Sequence, residues 1–287
     1  MRWLGCWGSW SESRSVPSEA ATGLFQRPRQ GALVSGHGYV NRAIAPVMAA
    51  ALVVAACGGG SETPRPAPNA TADGPGSISG KITFDGPRPE RAQVRMAADP
   101  NCKPDAEQAL SDSLIVAEDG ALKNAFVYIK DGLGDRIYAT PTEPVVLDQV
   151  GCQYEPHVFG VFVAQPLEVR NSDPTLHNVH ALPKTNTEFN FGQQPSTPPM
   201  TRTFEQPEIG VAVRCDVHGW MRAYANVVEH PFFSVSNDDG TFEITGLPPG
   251  TYTLEAWHER LGTQTQSITI AEGAPAVTAS FVFKPQE

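Results

Sequence analysis

The residues with the clearest chemical potential lie in one short segment, 214–221, which reads RCDVHGWM. Cys215, His218 and Met221 follow one another there at a spacing of three residues. A thiolate is a strong soft ligand, an imidazole is an intermediate one and a thioether is a weak one. A loop of this kind between two strands can therefore offer three ligands of graded strength to one metal ion.

A second histidine is available upstream. Residues 166–180 read PLEVRNSDPTLHNVH, in which a short alternating strand at 166–170 runs into a polar turn, and His177 then opens the next strand. Two histidines, one cysteine and a distant methionine form the ligand set of blue-copper electron-transfer sites. The sequence therefore predicts copper as the cofactor, with His177 completing the set.

Residues 143–230 resemble a cupredoxin, closest to the amicyanin type. The ligand loop is equally short, it continues into Met-Arg-x4-Val at 221–227, and the His-Asn-Val-His run at 177–180 also matches that family. The resemblance implies that the copper ligands are His177, Cys215, His218 and Met221.

The same resemblance implies roles for neighbouring residues. Asn178 is expected to tie the two ligand loops together by hydrogen bonds, which sets ligand geometry and potential. His218 is expected to present its ring edge at the surface as the electron port, with Trp220 beside it. Val217 and Gly219 stand where amicyanin-like loops place prolines, so a less rigid loop is expected.

His180 competes with His177 as a ligand. Residues three apart in a regular strand point to opposite faces, so both histidines cannot face one metal ion. His177 follows the turn and is the predicted ligand. Outside this motif, His157, His230 and His258 are expected to be structural or surface residues.

Three cysteines remain once Cys6 in the leader and Cys57 are set aside. With Cys215 assigned to the metal, Cys102 and Cys152 are predicted to pair by elimination and to close a loop of about 50 residues. The alternative is that all three cysteines are metal ligands. It is the weaker one, because Cys102 lies in a Pro-rich loop far away in sequence.

A second β-rich region follows residue 230. Strands are predicted at 232–235, 241–245, 251–257, 264–270 and 278–283, separated by NDDG and LPPG turns. The stretch 239–254 resembles a carboxypeptidase regulatory-like (transthyretin-like) β-sandwich, whose first two strands are expected at 77–84 and 124–129. The fold class predicted is therefore all-β, with the cupredoxin at 143–230 inserted into a sandwich formed by 77–132 and 231–287. Two consecutive domains, with 77–130 belonging to the cupredoxin, are the alternative.

Residues 40–57, near the start of the chain, resemble a targeting signal. Residues 40–57 contain one arginine, the apolar run 43–56 and an ending, Val-Ala-Ala-Cys, that resembles a bacterial lipobox with Cys57 as the lipidated residue. An ordinary secretory signal cleaved elsewhere is the alternative. Residues 1–39 show no strand or helix periodicity and are expected to be a start-site artefact, whereas 58–76 are predicted to be a flexible linker.

Composition limits the possible functions of the 287 residues. The net charge of −10 disfavours a nucleic-acid partner, and no apolar run approaches the ~18–20 residues of a membrane-spanning helix. Five of the 21 basic and two of the 31 acidic side chains precede Cys57, so the exported chain carries a net charge of −13.

These patterns predict an exported, lipid-anchored protein of the periplasm or cell envelope that passes single electrons between redox protein partners. The alternative is a metal-free or copper-sequestering binding module. No Ser-His-Asp order and no paired catalytic carboxylates stand out, so an enzyme is not expected.

Overall fold

A computed structural model describes residues 66–96, 99–102, 110–273 and 276–285, and the regular elements of these residues are β-strands, apart from a 3₁₀ position at Met96. The all-β fold predicted from the sequence is confirmed, since no α-helix occurs in these ranges. None of the described residues forms a helix long and apolar enough to span a membrane. The predicted artefact at 1–39, the signal at 40–57 with Cys57, and linker residues 58–65 lie outside the described residues.

The strands, in chain order, are β1 (Gly76–Phe84), β2 (Phe126–Asp131), β3 (Val145–Val150), β4 (Gln153–Glu155), β5 (Val158–Phe162), β6 (Leu167–Asn171), β7 (His177–Leu182), β8 (Phe189–Gln193), β9 (Met200–Arg202), β10 (Glu208–Arg214), β11 (Arg222–Val228), β12 (Phe233–Val235), β13 (Thr241–Leu247), β14 (Gly250–His258), β15 (Gly262–Ile270) and β16 (Ala276–Phe283).

Four sheets make up two sandwiches. The terminal sandwich has the sheets β13-β1-β16 and β12-β2-β14-β15, and the central sandwich has β5-β11-β10-β7-β8 and β4-β3-β6-β9. Strands that precede the central sandwich in sequence therefore pair with strands that follow it. This pairing supports the insertion considered from the sequence, and we propose that the central sandwich is inserted between the second and third strands of the terminal one.

The sheets follow from the side-chain alternation of their strands. In β13, for example, Phe242 and Ile244 are buried while the residues between and beside them are exposed, as expected for a strand with one face on a core. The turn before it ends at Gly240, whose φ of +75° is a left-handed conformation that favours glycine. The NDDG turn predicted from the sequence thus ends where β13 begins.

The register of the central sandwich brings the predicted ligands to one end of a sheet. Strand β10 pairs antiparallel with β7, and Arg214 at the end of β10 lies opposite His180. The start of β7, at His177, therefore lies beside the loop 215–221 that connects β10 to β11.

The linker predicted for 58–76 is shorter than expected. The Asn69 backbone N–H donates to the carbonyl of Ile137 at 2.9 Å, and its side-chain oxygen accepts from the Ile137 N–H at 2.7 Å. Gly74 donates to the carbonyl of Gly246 at 3.0 Å, and Ala70 packs on the core of the terminal sandwich. Residues 69–76 thus belong to that sandwich, because the Asn69 side chain pairs with backbone groups of a neighbouring loop.

The connection between β1 and β2, residues 85–125, reaches across to the central sandwich. Met96 and Cys102 are buried in the core of that sandwich, and Val94 packs against it. The block 77–132 expected to form the start of the terminal sandwich therefore also completes the core of its neighbour.

The two sandwiches meet through a small apolar cluster that includes Phe126 and Tyr128 of β2, Val158 of β5 and Val228 of β11. Two glycines allow aromatic rings to approach closely. A Cβ on Gly160 would lie 2.3 Å from the Phe233 ring, and one on Gly210 would lie 2.8 Å from that of Trp257. The absence of side chains at these two positions makes room for the interface.

We expect the buried His258 and the half-buried His230 to make the fold sensitive to acid. Burial lowers the pKa of His258, and likewise that of His230, from 6.5 to about 4. The unfolded chain takes up these protons at a higher pH than the folded chain does. The free energy of unfolding should therefore fall between about pH 6.5 and pH 4, by roughly 3 kcal/mol for each group.

The variant His258→Asn tests this expectation. The asparagine oxygen can accept the hydrogen bond that Nδ1 of His258 accepts from the Arg260 N–H at 3.1 Å. Denaturant unfolding of the full chain at pH 7 and pH 4.5 should show a smaller loss of stability on acidification in the variant than in the wild type. Equal losses in the two proteins would contradict the assignment.

Candidate metal centre

Three of the four predicted ligands converge at one end of the central sandwich. His177, Cys215 and His218 are all buried, and each offers a ligand atom within 4.8 Å of the others. The Nδ1 atoms of the two imidazoles are 2.9 Å apart, and the Cys215 Sγ lies 3.9 Å from Nδ1 of His218. One thiol and two imidazoles facing a common point form a donor set that fits copper.

A carboxylate holds the outer nitrogen of His177. Nε2 of His177 is 2.8 Å from Oδ2 of Asp173. Asp173 in turn accepts hydrogen bonds of 2.8 Å from the N–H groups of Gly151 and Cys152, both of which have positive φ. The turn at 151–152 therefore fixes the aspartate, and the aspartate fixes the ring so that Nδ1 faces inward.

A second carboxylate holds His218 in the same manner. Its Nε2 is 3.1 Å from Oδ2 of Asp99, which comes from the connection between β1 and β2. Asp99 is itself held by the Thr175 hydroxyl at 2.9 Å and by the Asn101 N–H at 2.8 Å. The hydrogen bond from Asn101, followed by that from Thr175, lowers the pKa of Asp99 below its usual value, so the carboxylate is ionised.

The expected surface position of His218 is wrong. The residue is 3% exposed, because Asp99 and Cys102 cover its ring edge. Nothing in the ligand loop signals this cover, which comes from a connection more than 100 residues earlier. Trp220 does lie beside His218 as expected, with the ring centroids 5.0 Å apart.

The surroundings of Cys215 favour its thiolate. Burial by itself raises the pKa of the thiol, but a hydrogen bond with His177 and backbone N–H groups of His218, Asn178 and Val217 outweigh it and lower the pKa. The N–H of His218 lies 3.2 Å from Sγ, and that of Asn178 lies 3.4 Å from it. A thiolate is the form in which cysteine binds a metal.

The charge of His177 is coupled to the same groups. Burial opposes protonation of the ring, but hydrogen bonds with Asp173 and Cys215 raise the pKa of His177 to about 9. A metal ion bound at Nδ1 must displace that proton, so its apparent affinity should decline as the pH falls below about 9.

Asn178 connects the two ligand loops, as the resemblance implied. Its side-chain oxygen accepts from the Asp216 N–H at 3.0 Å, and its amide nitrogen donates to the carbonyl of Phe191 at 3.3 Å.

Met221 is buried, and its backbone closes the ligand loop by donating to the carbonyl of His218 at 2.9 Å.

His180 lies outside the ligand cluster. Its Nδ1 is 2.9 Å from Oδ2 of Asp216, and its Nε2 is 2.8 Å from Oε1 of Glu188. Strand alternation therefore separates the two histidines of the His-Asn-Val-His run. His157 likewise pairs with Glu259 at the junction of the two sandwiches.

A disulfide joins Cys102 to Cys152, and Cys215 is the free cysteine among the described residues. The bond lies against the candidate site, since the Cys102 Sγ is 3.9 Å from Nε2 of His218. Cys102 belongs to the segment that carries Asp99, and Cys152 belongs to the turn that holds Asp173.

The sequence analysis missed both aspartates. Only the position of Asp173, four residues before His177, offered a signal.

Residues 224–284 match the model of the carboxypeptidase regulatory-like domain. The match begins within β11 and runs through β12–β16, the strands that follow the central sandwich. No curated protein matches the chain.

Several solved structures are similar to the chain. A Cu-containing nitrite reductase from Thermus scotoductus SA-01 is 20% identical over 34% of this chain and 25% of the reductase, with a TM-score of 0.29. An oxidised amicyanin mutant is 19% identical over 41% of this chain and 94% of its own, with a TM-score of 0.27. A purple cupredoxin from Nitrosopumilus maritimus is 16% identical over 29% of this chain and 99% of its own, with a TM-score of 0.26. The chain thus spans about a quarter of the reductase and nearly the whole of the two small cupredoxins.

We expect Asp99 to strengthen metal binding through His218. The variant Asp99→Asn removes the charge that orients the ring, and loss of such a partner usually costs 10-fold to 100-fold in metal affinity. Titration of the full chain with Co(II), followed by thiolate charge-transfer absorption, should show a loss of about that size.

The matched control is Asp112→Asn, in the same connection. Asp112 pairs with Arg91 at 2.7 Å and lies outside the ligand cluster. Its substitution should leave the Co(II) affinity unchanged. Equal affinities for the wild type and Asp99→Asn would contradict a role for Asp99 at the site.

Proposed function

We propose that the protein is an exported type 1 copper protein that acts in single-electron transfer. The observation that carries this proposal is the convergence of Nδ1 of His177, Nδ1 of His218 and Sγ of Cys215 at one buried point. When bound, copper would supply exchange of one electron between Cu(I) and Cu(II). Met221 is proposed as the weak axial ligand, as the resemblance to amicyanin implies.

The chain's own residues prepare the site for this role. Asp173 and Asp99 fix the two imidazoles, and Asn178 ties the loop that carries Cys215 to the start of β7. Ligands held from outside in this way can keep their positions when the charge at their centre changes. Rapid electron exchange requires that the ligands move little when the metal changes its oxidation state.

The cellular setting is part of the proposal. A disulfide is typical of proteins outside the cytoplasm, and the chain forms one between Cys102 and Cys152. Lipidation at Cys57 would place the protein on a membrane surface facing the periplasm or the cell envelope. Asn69, Ala70 and Gly74 are hydrogen-bonded to backbone groups of the terminal sandwich and its loops, so a tether to Cys57 would end before Asn69.

A copper-sequestering module is the second candidate. The cover that Asp99 and Cys102 place over His218 favours it, because a closed site retains its metal. The two candidates differ in whether the bound copper exchanges an electron with small redox reagents. Electron transfer requires reduction by ascorbate and reoxidation by hexacyanoferrate(III), whereas a sequestering module would keep copper in one state.

The ligand roles predict the behaviour of the wild type and of four variants with one equivalent of Cu(II). The wild type should develop a thiolate-to-copper charge-transfer band, and Cys215→Ser should abolish it. Met221→Leu should keep the band and shift the reduction potential. His177→Ala should lose the band, whereas His180→Ala should leave it nearly unchanged.

Visible absorption and electron paramagnetic resonance of the full-length variants measure these outcomes. His180→Ala is the matched control for His177→Ala, since both remove a buried imidazole from β7. A colourless wild type, or bleaching by His180→Ala with retained colour in His177→Ala, would refute the proposed ligand set.

A further inference from the structure

An open groove lies next to the candidate site, on the side of Trp220. It has a volume of about 590 Å³ and is lined by residues of both sandwiches and of the β1–β2 connection. Trp220 forms part of its wall, and the Trp220 indole N–H donates to the carbonyl of Cys152 at 3.0 Å. The tryptophan is therefore fixed, with one ring side towards His218 and an exposed part in the groove.

The groove is cationic in a chain that is acidic as a whole. Arg95, Arg222 and Arg260 line it, and all three are exposed. No carboxylate of the described residues lies within salt-bridge distance of these three guanidinium groups. Glu259 also lines the groove, but its carboxylate is buried against His157.

The cover over His218 makes this groove relevant to electron exchange. Asp99 and Cys102 close the direct approach to the imidazole edge. Trp220 is the aromatic ring that separates His218 from the groove. A molecule bound in the groove is thus separated from His218, a proposed copper ligand, by the Trp220 ring.

We propose that this groove, lined by Arg95, Arg222, Arg260 and Trp220, is the docking surface for an acidic face of a redox partner protein. The inference deepens the proposed function and rests on it. Guanidinium groups pair with carboxylates in a forked geometry, and opposite charges across an interface accelerate encounter. Tryptophan and arginine are also the residue types enriched in the energetic centres of protein interfaces.

The first experiment needs no copper. Hexacyanochromate(III), a redox-inert paramagnetic trianion, serves as the probe of anion binding to the full-length metal-free chain. Amide signals of groove residues such as Gly219, Arg222 and Arg260 should broaden in nuclear magnetic resonance spectra. Replacing Arg222 and Arg260 together by Gln should weaken binding of the probe roughly fivefold.

A control variant and a competing surface make this experiment decisive. Arg136→Gln is the matched control, because Arg136 is an exposed arginine of the terminal sandwich that does not line the groove. Leu176 and Val217, which are 37% and 52% exposed beside the ligands, offer a competing apolar surface. Broadening centred on those two residues, or equal binding by the double variant, would overturn the inference.

The second experiment uses the copper-loaded, ascorbate-reduced chain in stopped flow. Hexacyanoferrate(III) accepts one electron and becomes hexacyanoferrate(II) while Cu(I) becomes Cu(II), and no proton or covalent bond changes. The double Arg→Gln variant should react roughly fivefold more slowly than the wild type and depend less on salt. With the cationic oxidant tris(phenanthroline)cobalt(III), the variant should not be slower.

The two experiments separate failure of the docking surface from failure of the proposed function. A coloured, reactive copper protein whose rate with hexacyanoferrate(III) is unchanged by the double variant would overturn the docking surface alone. A chain that binds hexacyanochromate(III) in the groove but forms no thiolate–copper band would refute the copper function and, with it, the assignment of a redox partner.

Discussion

The Cys102–Cys152 disulfide is the constraint on which the candidate site depends. One of its cysteines follows Asp99 closely in the chain, and the other donates a backbone hydrogen bond to Asp173. These two aspartates hold the outer nitrogens of His218 and His177. Closing a loop of 50 residues stabilises a fold by about 4 kcal/mol in the chain-entropy description. The same bond joins the two segments whose aspartates contact the imidazoles.

The segment that carries Asp99 also links the two sandwiches. The connection from β1 to β2 leaves the terminal sandwich, buries Met96 and Cys102 in the central core and covers His218. The terminal sandwich thereby supplies a wall of the site although its own strands lie elsewhere. Two carboxylates and a thiolate around one point give surroundings that favour a cation of higher charge. We expect this environment to stabilise Cu(II) relative to Cu(I).

Much of the site could be predicted because local sequence patterns encode it. The spacing of Cys215, His218 and Met221 belongs to one loop, and strand alternation was enough to separate His177 from His180. Asp99 and the cover over His218 could not be predicted, because they depend on where a connection of some 40 residues packs. The same holds for residues 69–76, whose composition is that of a linker. Their order comes from hydrogen bonds with Ile137 and Gly246, which no local pattern encodes.

We propose that His177, His218 and Cys215 together hold copper. Extended X-ray absorption at the copper edge of the loaded full chain tests it most directly, because it counts the nearest neighbours of the metal by element. We expect one sulfur and two imidazole nitrogens as the nearest ligands, with the sulfur absent in Cys215→Ser. A nearest shell of nitrogen and oxygen alone in the wild type would contradict it.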